Sequence, residues 1–368
     1  MTLKTKALFI YNDIYAKPIG GRKLFTKTNY EIINQLYKKK IINIKLQNKN
    51  KKNICYYLNS LRGRIDGINK NSIEKINNIV QKEKINQIII DGSNLGEISK
   101  ILKKNYPNIF IYTFFHNVEA IFFWQAFIAL KSLKSFFVML INYFCERKSI
   151  KYSNFIIVLN QRDSDNLKLI YSRKADYICP IILKDIYKKK RNKKINQRKL
   201  CALFVGSAFY GNILGITWFI KKVLPGIDLQ LLVVGKGFEK YKKNFLFYKN
   251  VKIIGSVKNI GSWYSKAHLV VAPIFHGSGM KTKIAESMMF GKKIFATREA
   301  LFGYKKISNK ICHVCNNSKS FIQNINKQSN NLIKKSFHFS SRNIFLKKYS
   351  YNAGLYHYNK IFSKNNLK

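Results

Sequence analysis

No run of 18 or more uncharged apolar residues occurs in this sequence, so no bilayer-spanning helix is expected. The opening residues pass from Lys4 and Lys6 straight into Ala7-Leu8-Phe9-Ile10. They have no apolar core with a small-residue cleavage site, so no secretion signal is expected. Six cysteines, widely spaced over 368 residues, are too few for a disulfide scaffold and fit a reducing compartment. Acidic residues are scarce as well: 17 Asp and Glu stand against 68 Lys and Arg, a formal charge of +51. Counterion release from phosphates makes such a charge a nucleic-acid signal in general. Here the lysines are scattered from Lys4 to Lys368, and only ten of the cations are arginine, the residue suited to bidentate phosphate and base contacts. No specific nucleic-acid partner is therefore expected, whereas attraction to an anionic membrane face is, at about 1 kcal/mol per cation near the surface. A 46% hydrophobic and 14% aromatic content excludes a disordered basic tail.

What is present is an alternation of short apolar strands and helices. Strands are expected over 6–11, 85–90, 109–115 and 154–159, with helices over 24–39 and 94–104. The segment from Lys184 to Lys199 is polar, with Lys188, Lys189, Lys190 and Arg191 at its centre. The pattern then restarts with strands over 200–205, 229–234, 251–254, 268–272 and 293–297 and helices over 213–223 and 281–290. Parallel sheets flanked by helices follow, in an α/β fold of two βα modules joined by a solvated linker. The expected divisions are 1–184, a basic linker at 185–199, 200–340, and a helical tail at 341–368 that packs back toward the first module. Residues 120–145 form two apolar stretches separated by Lys131 and Lys134, with Trp124 in the first. They are too interrupted to span a bilayer. They suit either a helix pair covering the sheet or a segment lying in a membrane interface.

The most informative stretch runs from Ala272 to Gly291. A strand ends at Ala272, and a loop holding Gly277 and Gly279 feeds a helix carrying Lys281, Lys283 and Glu286. Glycines let backbone approach a ligand closely, and a helix N-terminus presents unpaired N–H groups to an anion. The lysines add positive charge where the helix dipole alone favours acids, which suits a polyanion such as a diphosphate. Glu286 is an acceptor-only group able to take two ribose hydroxyls. The competing reading is a surface loop ahead of an ordinary charged helix.

The run Gly277-Ser-Gly-Met-Lys-Thr-Lys-Ile-Ala-Glu286, with Gly291 to Thr297 and Ala300 to Gly303, resembles the donor-site signature of GT-B glycosyltransferases of the family 4 type. Phe204 to Ser207 with Gly211 and Asn212, Leu231 to Gly237, and Val251 to Val257 are similar to that family's donor-domain strands and turns. Phe115-His116-Asn-Val-Glu119 resembles its His-containing segment. The resemblance implies two facing Rossmann-like domains and transfer of a sugar from a UDP- or GDP-sugar to an acceptor hydroxyl, with retention. It implies neither a cofactor nor an obligatory metal ion. By position it makes Gly206, Ser207, Gly235, Val257, Gly277, Ser278, Gly279, Met280, Lys281, Lys283 and Glu286 the nucleotide-sugar contacts. His116, Glu119 and Lys281 become catalytic, and Gly20 and Gly21 form an acceptor-side loop. Many members carry a glutamate where this chain has Ser278, which leaves the sugar open. A lipid-linked or glycan acceptor at the inner membrane face, in surface polysaccharide synthesis, is the expected setting for a cytoplasmic, peripheral enzyme. Two alternatives stand: a GT-B-shaped epimerase or phosphorylase, and a non-catalytic basic binding protein.

Other signals point elsewhere. Gly235-Lys-Gly237 lacks the third glycine of a dinucleotide fingerprint. Asp163-Ser-Asp165 sits where a helix begins and reads as a cap. Cys312 and Cys315 have no second ligand pair and read as a strand. His268 reads as a packed residue, while His276 is placed to approach a ligand.

Overall fold

Runs such as Ile88-Ile89-Ile90 and Leu231-Leu232-Val233-Val234 bury both faces, as strands inside a parallel sheet must. The computed structural model describes residues 3, 5–12, 21–47, 59–188, 199–304 and 311–363. Gly20 and most of the basic linker (189–198) lie outside the described residues. The chain divides into one unit of Met1–Ile182 with Tyr351–Lys368 and a second of Leu183–Ser350.

In the first unit the elements run β1 (Ala7–Asn12), α1 (Gly21–Tyr37), β2 (Ile41–Leu46), α2 (Lys70–Lys82), β3 (Gln87–Asp91), α3 (Gly96–Asn105) and β4 (Phe110–Phe115). They continue with α4 (Glu119–Leu130), α5 (Leu133–Tyr152), β5 (Phe155–Val158), α6 (Gln161–Tyr171) and β6 (Tyr177–Ile178). The strands pair in parallel in the order β2-β1-β3-β4-β5-β6. The order reverses between β1 and β3, so a ligand-sized crevice is expected beyond the carboxyl ends of those strands. Residues 120–145 do form a helix pair, α4 with α5.

The second unit holds β7 (Leu200–Val205), α7 (Tyr210–Lys222), β8 (Leu229–Val234), β9 (Val251–Gly255), α8 (Gly261–Lys266) and β10 (Leu269–Ala272). After these come α9 (Thr282–Met289), β11 (Lys293–Ala296), β12 (Cys312–Val314), α10 (Ser318–Lys334) and α11 (Phe339–Lys348). Its parallel order is β12-β11-β10-β7-β8-β9, with the reversal between β7 and β10. The loops after those two strands are the Gly206-Ser207 turn and the glycine loop singled out in the sequence.

The tail does not behave as one piece. Ser341 Oγ donates to the Lys292 carbonyl at 3.0 Å and Arg342 donates to the Met289 carbonyl at 2.9 Å, so α11 stays with the second unit. Helix α12 (Tyr351–Ser363) joins the first unit instead, where Tyr358, Ile361 and Phe362 share a core with Phe9, Ile32 and Tyr112. Each fully buried aromatic of this kind contributes about 1.5–3 kcal/mol.

Candidate functional site

In the second unit the carboxyl ends of the central strands are stitched together by backbone bonds. The Gly206 N–H donates to the Val234 carbonyl at 3.0 Å and the Gly235 N–H to that of Gly255 at 2.8 Å. A Cβ on Gly235 would fall 1.7 Å from the Gly206 oxygen, so the two turns touch backbone to backbone. Helix α7 lies equally close to the loop that leaves β10, since a Cβ on Gly215 would fall 1.8 Å from the Pro273 oxygen.

Onto this floor comes Lys283, buried in the first turn of α9. Its ammonium donates to Asn212 Oδ1 at 2.7 Å and lies 4.1 Å from the centroid of the Phe204 ring. Asn212 in turn donates to the Ser207 carbonyl at 2.7 Å. Gly206 makes room: a Cβ there would meet Asn212 Nδ2 at 2.6 Å and Lys283 Nζ at 3.0 Å. Burial, with a smaller contribution from Lys281, pulls the Lys283 ammonium down to about 7, against the opposing pull of Glu286. An ammonium that gives up its proton this readily is held where an anion would restore its charge.

Lys281 does a different job. It precedes α9 in an extended conformation. Its ammonium donates to the carbonyls of Ser278 and Gly279, both at 3.1 Å, and pairs with Glu299 at 3.2 Å. Tyr304 holds the same residue through its carbonyl at 2.8 Å. Gly277 and Gly279 take positive φ, 123° and 68°, so this loop curls around the lysine. Ser278 and Met280 are buried with it, and Ser278 Oγ has no hydrogen-bond partner among the described residues. Glu286, half-buried on α9, accepts from Tyr264 at 3.3 Å. Burial raises its carboxyl, opposed by that bond and by Lys283.

The structure thus brings Gly206, Ser207, Gly235 and Lys283 together, and separately gathers Ser278 and Gly279 around Lys281. Val257 is half-buried in the turn beyond β9. That turn is held by Glu239, which accepts from the N–H groups of Gly237 and Ser256, both at 2.6 Å. His276 is exposed beside the glycine loop, while His268 is packed, accepting at Nδ1 from the Cys201 N–H at 3.0 Å.

In the first unit His116 follows β4 and is buried, its Nε2 lying 3.0 Å from Asp91 Oδ1. Asn29 donates to the same oxygen at 2.6 Å. Burial pushes the Asp91 carboxyl up, but His116, with Thr26 and Asn29, outweighs it and the net shift is downward. Glu119 is also buried and opens α4. Its N–H donates to Glu146 Oε1 at 2.7 Å, and Ala120 donates to the other oxygen at 3.2 Å. Burial, then repulsion by Glu119, pushes Glu146 up to about 7. Gly21 begins α1.

Several of these residues were not singled out from the sequence. Asp91 follows an expected strand, and Asn29, Glu146, Glu239 and Glu299 carry no local motif. The Asp163 carboxylate belongs to a helix cap, accepting from the Asn160 amide at 2.7 Å while its N–H donates to Asn160 at 3.0 Å. Cys312 lies in β12, and both it and Cys315 are buried thiols. Among the described residues no cluster of three or more His, Cys, Asp or Glu groups is arranged to hold a metal ion.

Two doubly wound parallel units, the second with lysines and glycine turns gathered at its strand-order reversal, define the GT-B class of fold. A sucrose-phosphate synthase from Thermosynechococcus elongatus superposes with a TM-score of 0.77 at 12% identity, covering 99% of each chain. Anabaena HepE in complex with UDP gives 0.66 at 13%, covering 98% of this chain and 100% of that one. A lipopolysaccharide outer core galactosyltransferase gives 0.63 at 11%, over 98% and 100%. Residues 199–331 match the family model described as Glycosyl transferases group 1. No curated protein sequence matches the chain.

Proposed function

We propose that this protein is a glycosyltransferase that moves a sugar from a nucleotide diphosphate to an acceptor hydroxyl, retaining the anomeric configuration. The observation that carries this reading is the Lys283 ammonium, buried against Gly206 and Asn212 at the reversal point of the second sheet. The family match covers this same region. Lys283 neutralises the departing diphosphate, Lys281 holds the glycine loop whose amides assist it, and Glu286 binds the ribose. These ammonium groups take the part a divalent ion plays in other transferases. His116 and Glu119 serve the sugar and acceptor. A thermal-shift screen against UDP- and GDP-sugars tests the assignment: stabilisation by a nucleotide-sugar, lost in a Lys283 variant, supports it, and no stabilisation across the panel defeats it.

The charge state of Lys283 sets a pH dependence. A bound diphosphate favours the ammonium form, so the lysine titrates higher in the complex than at about 7 in the free protein. Binding therefore takes up a proton, and affinity for UDP falls as pH rises above about 7, by up to roughly tenfold per unit. Calorimetry from pH 7 to 9 in buffers of different ionisation heat reads both effects; an affinity flat over that range contradicts them.

The acceptor we place at an anionic membrane surface, as a lipid-linked glycan in surface polysaccharide synthesis. Support comes from the α4–α5 hairpin. Ile128, Leu133 and Phe137 are 57%, 70% and 61% exposed, and Trp124, Leu130 and Phe144 are exposed with them. Lys131 and Lys134 stand at the turn, and residues 120–145 contain no acid. Apolar side chains edged by lysines fit the headgroup level of a bilayer. Among the described residues no helix is long and apolar enough to cross one. Phe122 and Phe123 are half-buried, so the informative change is Leu133→Glu with Phe137→Glu. It should weaken sedimentation with phosphatidylglycerol vesicles at least about tenfold; unchanged partitioning removes the membrane from the proposal.

A further inference from the structure

A buried chain of hydrogen bonds in the first unit starts on the C-terminal helix and ends at His116. Tyr358 Oη bonds Asn29 Oδ1, Asn29 Nδ2 donates to Asp91 Oδ1 at 2.6 Å, and that oxygen lies 3.0 Å from His116 Nε2. Tyr358 and Asn29 are fully buried, and Asp91 and His116 are 1% and 6% exposed. The direction of every bond follows from donor chemistry. A carboxylate only accepts, so Asn29 turns its NH₂ to Asp91 and its carbonyl oxygen to Tyr358, which must donate. For the same reason His116 presents Nε2–H to Asp91, and in the neutral ring this leaves Nδ1 with its lone pair. Nδ1 is buried and has no hydrogen-bond partner among the described residues. The Phe25 ring packs edge-on against the imidazole at 4.9 Å, so the ring is held from the side as well.

We infer that Tyr358 and Asn29 are positioning residues that act through Asp91 to fix His116 as the Nε2–H tautomer, with Nδ1 ready to accept a hydrogen bond from a substrate hydroxyl. This rests on the transferase reading for the substrate, but the tautomer and its dependence on Tyr358 do not. A carboxylate that fixes a histidine's tautomer is a general device for setting which ring nitrogen faces a reactant. What this chain adds is that the carboxylate is itself set from a helix 329 positions away along the sequence from Asn29.

Imidazole ¹⁵N spectra of the full-length protein test the tautomer directly. The chain has six histidines, and His116 is identified by its loss in His116→Asn. The Nε2–H form is expected in the wild type, a mixture of tautomers in Asp91→Asn, and a partial shift toward that mixture in Tyr358→Phe. The kinetic arm follows release of UDP from UDP-glucose. Asp91→Asn should lower kcat by roughly 10²-fold with the donor KM unchanged. Tyr358→Phe should cause a smaller loss of the same kind, and the double variant should be no worse than Asp91→Asn alone. An Nδ1–H tautomer in the wild type, or Tyr358→Phe with wild-type spectrum and kcat, overturns the inference. If UDP-glucose and the rest of a nucleotide-sugar panel are not consumed, or His116→Ala turns over normally, the transferase role fails instead, and the spectra still decide the relay. Tyr358→Phe removes a single oxygen, and melting curves confirm that the variants remain folded.

Discussion

Turnover by a Lys283→Met variant is expected to fall by roughly 10²–10³. Methionine keeps the unbranched shape of the buried stem beside Phe204 and removes only the ammonium. The loss should appear in kcat more than in donor KM, because charge on the leaving diphosphate grows as its bond to the sugar breaks. Affinity for UDP itself should fall too, since UDP carries the charge that develops in that step. Stability should change little or rise. Among the described residues the buried ammonium has no carboxylate in contact, and removing it ends a cost that already draws its proton affinity down to about 7. A variant that melts like the wild type and turns over normally would place the diphosphate away from Lys283. Lys281→Met is the informative companion. Its ammonium is engaged by Ser278, Gly279 and Glu299, so its removal should loosen the loop and raise donor KM along with the fall in kcat.

The second large effect is structural. Gly235→Ala should destabilise the second unit by about 3 kcal/mol or more, lowering its Tm by roughly 6–20 °C. Gly235 has φ +156°, and its added Cβ would lie 1.7 Å from the Gly206 oxygen and 2.5 Å from the Gly206 carbonyl carbon. Both are backbone atoms of the neighbouring turn, so relief requires the β7 and β8 ends to separate. That separation displaces Gly206, the residue that leaves room for Lys283. Gly237→Ala is the control: φ is +88°, but the nearest atom is the Ala208 Cβ at 3.1 Å, so only the conformational cost applies. Differential scanning calorimetry distinguishes the two, and equal melting temperatures would show that the turns yield more easily than their contact implies.

The central strands were legible in the sequence because a parallel sheet covered on both faces needs unbroken apolar runs. The expected 200–205 and 229–234 coincide with β7 and β8. Strand β2, Ile-Ile-Asn-Ile-Lys-Leu, was not read: it lies at the sheet edge, where asparagine and lysine can face out. Helix α10 escaped for a related reason. It buries only Phe321, Ile325 and Leu332 within seventeen largely polar residues, and its start is set by an Asn317–Ser320 capping box instead of an apolar pattern.

The candidate site divides in the same way. Glycines and lysines at fixed spacing make this loop the candidate for an anion site, yet spacing treats Lys281 and Lys283 as equivalents. Lys281, extended ahead of α9, turns its ammonium back into its own loop, whereas Lys283, inside the first turn, places its ammonium against Asn212. Asn29, Asp91 and Tyr358 are brought together by the fold alone, and no local pattern in any of the three segments marks it.

Helix α12 bears on how the molecule is made. The first module to leave the ribosome lacks the segment that covers Phe9, Ile32 and Tyr112 until the whole of the second module has been translated. A nascent chain paused after residue 182 therefore exposes an apolar face, and the polar groups of Asn29 and Asp91 beneath it are without their outermost partner. Completion of the hydrogen-bond chain that ends at His116 therefore waits on a segment translated only after the second module.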